Sequence, residues 1–142
     1  YPEKLIPKFV KQLVENKLCT IHGKGFTRRN FIHVNDVAEA INIIYIKGKD
    51  NEIYNIGSEN EYNVMEIFTK LCNHIRPGED YKNLCEYVED RAFNDYRYAI
   101  NCTKLVALGW KEKVEFNEGL KETVKHYVDK FSSVLSNIQK AS

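Results

Sequence analysis

Apolar residues along this chain switch repeatedly between the 3.6-residue period of a helix and the short β-branched or aromatic runs of a strand. The stretch "EKLIPKFVKQLVENK" (3–17) sets Leu5, Ile6, Phe9, Val10, Leu13 and Val14 on one helical face. Pro7 is tolerated only in a first turn, so that helix begins close to it. "LCTIH" (18–22) reads as a strand, and "NFIHV" (30–34) as another after a glycine loop. Asn35 is the expected N-cap of a helix over "DVAEAINIIYI" (36–46), with Val37, Ala38, Ile41, Ile44 and Tyr45 forming its apolar face. "EIYNI" (52–56) reads as a strand that Gly57 ends, and Asn63 as the cap of "VMEIFTKLCNHI" (64–75), which stops at "RPG". A strand is expected at "LCEYV" (84–88), an irregular run at "EDRAFNDYR" (89–97), and an extended "YAI" (98–100). Asn101 caps "CTKLVAL", and Gly109 takes the left-handed position after it. A long helix from near Asn117 carries Leu120, Val124, Tyr127, Val128 and Phe131 on one side, and its pattern weakens beyond Ser132. The expectation is one mixed α/β domain of short strands and amphipathic helices, without an interdomain linker.

Composition removes several classes of function. With 21 basic and 20 acidic residues, the net charge of +1 argues against coating nucleic acid or an anionic membrane. No apolar run approaches the roughly 18 to 20 residues of a membrane span. Cys19, Cys72, Cys85 and Cys102 are scattered without a CxxC pair, so they read as reduced thiols of a cytoplasmic protein rather than a zinc site or disulfide framework. The first residue is Tyr1, not Met, and the expectation is a piece of something longer.

The stretch richest in candidate chemistry is "HGKGFTRRNF" (22–31). A dinucleotide loop needs G-x-G-x-x-G between a strand and a helix. Here Gly23 and Gly25 lack the third glycine, and a strand pattern follows. An RNA-binding RNP motif is matched at Lys24, Gly25, Phe26 and Phe31. Thr27 and Arg28 stand where that motif has a small residue and a stacking ring, and the rings carry its affinity. Taken alone, the loop also fits a plain hairpin turn with solvated arginines. A second arginine cluster, Arg91 and Arg97 in "EDRAFNDYRYAIN", adds a reason to look for an anion, since guanidinium forks from two loops could clamp a diphosphate.

"YPEKLIPKF", "IHGKGFTRRNFIHVNDVAEAI", "IYNIGSENE", "DRAFNDYRYAIN", "KLVALGW" and "EGLKETVKHY" together resemble the C-terminal part of nucleotide-sugar 4,6-dehydratases, which are extended short-chain dehydrogenase/reductases. The resemblance runs to about Phe131. It implies a Rossmann-type enzyme whose C-terminal sugar-nucleotide-binding domain is residues 1–131, with 132–142 a frayed helical tail. It implies that Lys4 and Leu5 lie near the nucleotide, that Thr20, Ile21 and His22 lie against base and ribose, and that Arg29 contacts phosphate or ribose. Asp90, Arg91 and Asn94 match the segment that grips the diphosphate. Ala92 and Phe93 depart from the bacterial Pro-Gly spelling, and "FND" is closer to plant-type UDP-glucose enzymes.

The resemblance further implies a bound NAD that takes hydride from the 4-position of dTDP- or UDP-glucose and returns it to the 6-carbon after loss of water. The loop for that NAD and the acid/base residues belong upstream of Tyr1, so no catalytic residue, cofactor contact or metal ligand is expected in this chain. His33 and His74 read as packed or exposed, Asp36 as part of a helix start, and Asn63 as a cap rather than a ligand. The 142 residues alone are expected to be inactive, and the full-length enzyme to be a cytoplasmic homodimer that binds neither nucleic acid nor membrane. The alternatives are another nucleotide-sugar enzyme of the same fold, an epimerase or decarboxylase, and a non-enzymatic RNA-binding or scaffold module.

Overall fold

A computed structural model describes residues 3–90, 95, 97 and 100–141. In chain order the elements are α1 (Leu5–Val14), β1 (Cys19–His22), β2 (Arg28–Asn30), α2 (Val34–Lys47), β3 (Glu61–Asn63) and α3 (Val64–Ile75). A 3-10 turn (Tyr81–Leu84), β4 (Cys85–Val88), α4 (Thr103–Ala107) and α5 (Phe116–Ala141) follow. The strands form two separate pairs: β1 runs parallel to β4, and β2 runs antiparallel to β3.

The apolar faces of α1, α3 and α5 meet in one core, but the face read from the sequence for α2 does not: Ala38, Ile41 and Tyr45 are exposed, and α2 turns Asp36 and Ala40 inward instead. Phe9, Val10 and Leu13 of α1 pack with Cys19 and Ile21 of β1, with Ile67, Phe68, Leu71 and Cys72 of α3, and with Phe116, Leu120 and Val124 of α5. Phe9 and Phe68 meet edge to face, ring centroids 5.7 Å apart. Each such buried side chain stabilises by about 1.5 to 3 kcal/mol. A second, smaller cluster joins Ala40 of α2 to Leu105 and Trp110. Tyr127, Val128 and Phe131 carry the α5 contact outward from the main core.

Helix ends follow their capping chemistry. Asn63 caps α3 reciprocally with Glu66, each side chain taking the other's backbone N–H. The Asn101 side chain accepts from Thr103 N at the start of α4, and Gly109 after that helix has φ +94°. The Glu115 carboxylate accepts from Glu118 N, so α5 begins at Phe116, one residue before the expected start.

Three local expectations are corrected. Asn35 is not the cap of α2. His33 is, its Nδ1 accepting from Asn35 N at 3.4 Å. The cause lies in Asp36, which is buried, and whose carboxylate accepts from Lys113 N at 3.0 Å and Val114 N at 3.1 Å. That inward anchor fixes where the helix starts. "NFIHV" is not a strand, because pairing ends at Asn30 and Val34 already belongs to α2. "EIYNI" is not a strand either, since a strand needs a ladder partner and this run has none among the described residues. The segment that pairs with β2 is Glu61–Asn63.

Gly25 has φ +68°, and a Cβ there would lie 2.7 Å from Met65 Cγ and 3.0 Å from Ile21 Cγ2. Gly25→Ala is therefore expected to cost about 2 to 3 kcal/mol, from left-handed strain plus the displaced methionine. Urea denaturation midpoints of the two proteins measure it. An unchanged midpoint would show that the loop relaxes freely.

Candidate functional site

β1 and β4 end together at His22 and Val88, which are register partners. The chain diverges there: Gly23 N donates to Val88 O at 2.9 Å before the loop turns away toward β2. Crevices outside the carboxyl ends of parallel strands are where open α/β sheets hold their ligands. α1 reaches β1 through the short connection 15–18 and lies over it, with Cys19 Sγ donating to Phe9 O at 3.8 Å. Lys4 is the residue before α1, and Leu5 packs against the main core.

The glycine loop is tied down on both sides. Gly25 N donates to His22 O at 3.1 Å, and Met65 N donates to Gly25 O at 3.2 Å. Asp90, just beyond β4, lies on Gly23 so closely that a Cβ there would sit 2.7 Å from its Oδ2. The loop then enters the β2–β3 pair, where the two arginines diverge. Arg28 turns to Glu61, with Nε 3.2 Å from the carboxylate and Nη2 donating to the Glu61 carbonyl at 2.9 Å. Arg29 donates through Nη1 to the carbonyls of Arg28 at 2.6 Å and Asp95 at 2.9 Å. Arg97 Nε donates to Glu61 at 2.7 Å. That bond first, and then Arg28, hold the Glu61 carboxyl below its usual range, and Glu61 in turn raises Arg97.

The structure therefore sets Asp90 on Gly23, next to His22, and separately joins Arg29 to the carbonyl of Asp95. Arg91 and Asn94 lie outside the described residues, as does most of the expected "YAI". Thr20 faces Glu86 across the β1–β4 pair, Oγ1 donating at 3.3 Å. Ile21 is fully buried, so its side chain belongs to the core and only its main chain is left for a ligand. His22 Nδ1 is buried with no hydrogen-bond partner among the described residues, at the carboxyl end of β1. A buried nitrogen of that kind needs a partner. Sequence reasoning missed Glu61, which binds arginines 33 and 36 residues away in the chain; no local pattern announces such a contact.

Other chemistries find less support. Burial pushes the Cys19 and Cys72 thiols up to about 12, far from a reactive thiolate. Among the described residues no group of His, Cys, Asp and Glu could hold a metal ion. Phe31 of the RNP-like stretch packs edge-on against Phe116, centroids 6.1 Å apart, so its ring is not a platform for bases. Gly23 and Gly25 lead into β2 rather than a helix N-terminus, so these residues do not fit a dinucleotide pyrophosphate. An open cavity of about 500 Å³ between Gly57, Ser58, Ile100, Cys102 and Trp110 includes none of the expected site residues. No helix among the described residues is long and apolar enough to cross a membrane.

Comparison with known proteins gives a consistent set of likenesses. The family model described as GDP-mannose 4,6 dehydratase matches residues 1–123. The dTDP-D-glucose 4,6-dehydratase of Homo sapiens is 41% identical over 99% of this chain and 41% of its own length. Among solved structures, a dTDP-glucose 4,6-dehydratase from Streptomyces venezuelae with NAD bound superposes with a TM-score of 0.84 and 32% identity, over 91% of this chain and 39% of the other. A UDP-glucose 4-epimerase from Thermotoga maritima with UDP-glucose follows at 0.77 and 26%, over 89% and 40%. The chain thus spans about 40% of the length of each of these three proteins.

Proposed function

The chain belongs to the nucleotide-sugar 4,6-dehydratases of the extended short-chain dehydrogenase/reductases, within the GDP-mannose 4,6 dehydratase family, and on that premise we propose that it forms the substrate-binding part of a dTDP- or UDP-glucose 4,6-dehydratase. The full-length enzyme converts the nucleotide-glucose to its 4-keto-6-deoxy product and water. One observation carries the reading. Arg29 reaches the carbonyl of Asp95, so the two stretches expected to grip a diphosphate adjoin although they are 66 residues apart. Arg29 and Arg91 clamp the diphosphate, Asp90 and Asn94 shape its segment, and His22 and Thr20 with the Ile21 main chain line the nucleotide. Lys4 and Leu5 close the site from the start of α1. Residues 1–131 make up this domain, and α5 continues past it as a helical tail to Ala141. NAD supplies the oxidation and reduction when bound, and its site lies in the part of the enzyme this chain does not span.

The outer face of α2 supports a further part of this reading. Val34, Ala38, Ile41 and Tyr45 follow one another at helical spacing, and Tyr45 is 88% exposed. Ile53 in the unpaired "EIYNI" run is 80% exposed. Apolar stripes of that kind mark surfaces that another unit covers, and the remaining length of the relatives supplies one. The same proposal makes the full-length enzyme a cytoplasmic homodimer that binds no nucleic acid or membrane. Four free cysteines agree with a reducing compartment.

The purified 142-residue chain is expected to give no 4-keto-6-deoxy sugar from dTDP- or UDP-glucose even with NAD supplied, as read by product chromatography. Turnover by the chain alone would overturn the assignment of catalysis to the rest of the enzyme. The likeness to UDP-glucose 4-epimerase favours a second reading, with the same site serving epimerisation. Product analysis of the full-length enzyme separates the two, since an epimerase returns a 4-epimer with its 6-hydroxyl intact.

A further inference from the structure

We infer, on the strength of the site proposed above, that the Glu86 carboxylate accepts the ribose 2′-hydroxyl of the nucleotide. The site then takes a uridine diphosphate sugar in preference to a 2′-deoxythymidine one. β1 and β4 run parallel, with Thr20 beside Glu86 and His22 beside Val88. Side chains two apart on a strand share a face, so these four form one surface at the carboxyl end of the pair. The opposite side carries Cys19 and Ile21, which are buried in the core. Thr20 and His22 are half-buried and Glu86 and Val88 exposed, so the described chain leaves this surface accessible.

Thr20 Oγ1 donates to Glu86 Oε1 at 3.3 Å. That bond uses the only proton of the hydroxyl and holds the carboxylate on the Thr20 side of the surface. Among the described residues no other hydrogen bond or ion pair reaches the Glu86 carboxylate. What remains is a set of acceptors, which calls for a ligand group that donates. The diphosphate does not fit, because it is itself anionic and lies with the arginines beyond the strand ends. Thr20 and Glu86 are one residue pair farther back, about 7 Å along the strands, beside the nucleoside. The edge of uracil or thymine sets one N–H between two carbonyl oxygens, so a carboxylate there would meet more acceptors than donors. A ribose hydroxyl offers its proton without that opposition. Dinucleotide folds likewise set an acidic side chain on a ribose 2′-hydroxyl. UDP has that hydroxyl and dTDP lacks it, so one residue can read the difference.

The test is calorimetric titration of the full-length enzyme with UDP, 2′-deoxy-UDP, 5-methyl-UDP and dTDP, which separate the 2′-hydroxyl from the 5-methyl group. The parent is expected to bind UDP and 5-methyl-UDP about tenfold more tightly than their 2′-deoxy counterparts, the worth of one bond to an exposed carboxylate. In Glu86→Ala the two forms should bind within about twofold of each other, with dTDP affinity and melting temperature unchanged. Glu86→Gln keeps one acceptor oxygen and should keep part of the preference. Arg29→Ala, run beside them, should weaken all four nucleotides alike. A parent with no 2′ preference would overturn this inference alone. So would a preference that survives Glu86→Ala while Arg29→Ala weakens binding. Unchanged affinities in both alanine variants would sink the site itself, and the role of Glu86 with it.

Discussion

Asp36→Ala is expected to destabilise the protein by about 2 to 4 kcal/mol, because two main-chain donors inside the fold lose their acceptor together. The carboxylate takes the N–H groups of Lys113 and Val114, and the Asp36 carbonyl takes Trp110 Nε1 at 3.1 Å. These bonds join the start of α2 to the connection between α4 and α5, which are otherwise linked through the small cluster of Ala40, Leu105 and Trp110. Asp36→Asn keeps one carbonyl oxygen and should lose about half as much. The neighbouring Asn35→Ala should stay within about 0.5 kcal/mol, since that side chain caps nothing. Urea unfolding midpoints at constant slope read all three. A midpoint for Asp36→Ala equal to that of the parent would mean the two amides find water instead.

The second large effect concerns ligand binding. In the full-length enzyme, Arg29→Ala and Arg91→Ala should each weaken binding of the nucleotide sugar by about 1.5 to 3 kcal/mol, the worth of a charge-assisted bond. Lysine should be an incomplete replacement at either position, because a point charge cannot reproduce a bidentate fork. Bound NAD should be retained in every variant, since it lies outside this chain. Calorimetric titration with UDP-glucose and dTDP-glucose measures these differences, and unchanged affinity in both alanine variants would mean the arginines serve only the loop. Arg29→Ala also removes the tie to the Asp95 carbonyl.

What could be read from the sequence divides along physical lines. Helix faces were legible because Phe9, Leu13, Phe68, Leu71, Leu120 and Val124 recur at a period that a helix alone satisfies, and all of them are buried. The Asn63–Glu66 capping box was legible because both partners lie within one turn. Strands were legible only where apolar alternation coincided with pairing, as in Cys19 and Ile21 of β1. β2 and β3 escaped notice because their residues are charged or polar and half-buried, and their pairing spans more than thirty positions. "EIYNI" has the alternation of a strand, but alternation cannot supply a partner. Within the site, the resemblance pointed to Arg29 and Asp90, while Glu61 emerged only once the fold set three distant side chains together.

The most direct measurement is the structure of the full-length enzyme with dTDP or UDP bound. The account predicts the diphosphate beside the carboxyl ends of β1 and β4, within hydrogen-bond reach of Arg29 and Arg91, with His22 facing the nucleoside. A nucleotide bound elsewhere, with Arg29 still holding the Arg28 and Asp95 carbonyls and His22 still covered, would contradict it.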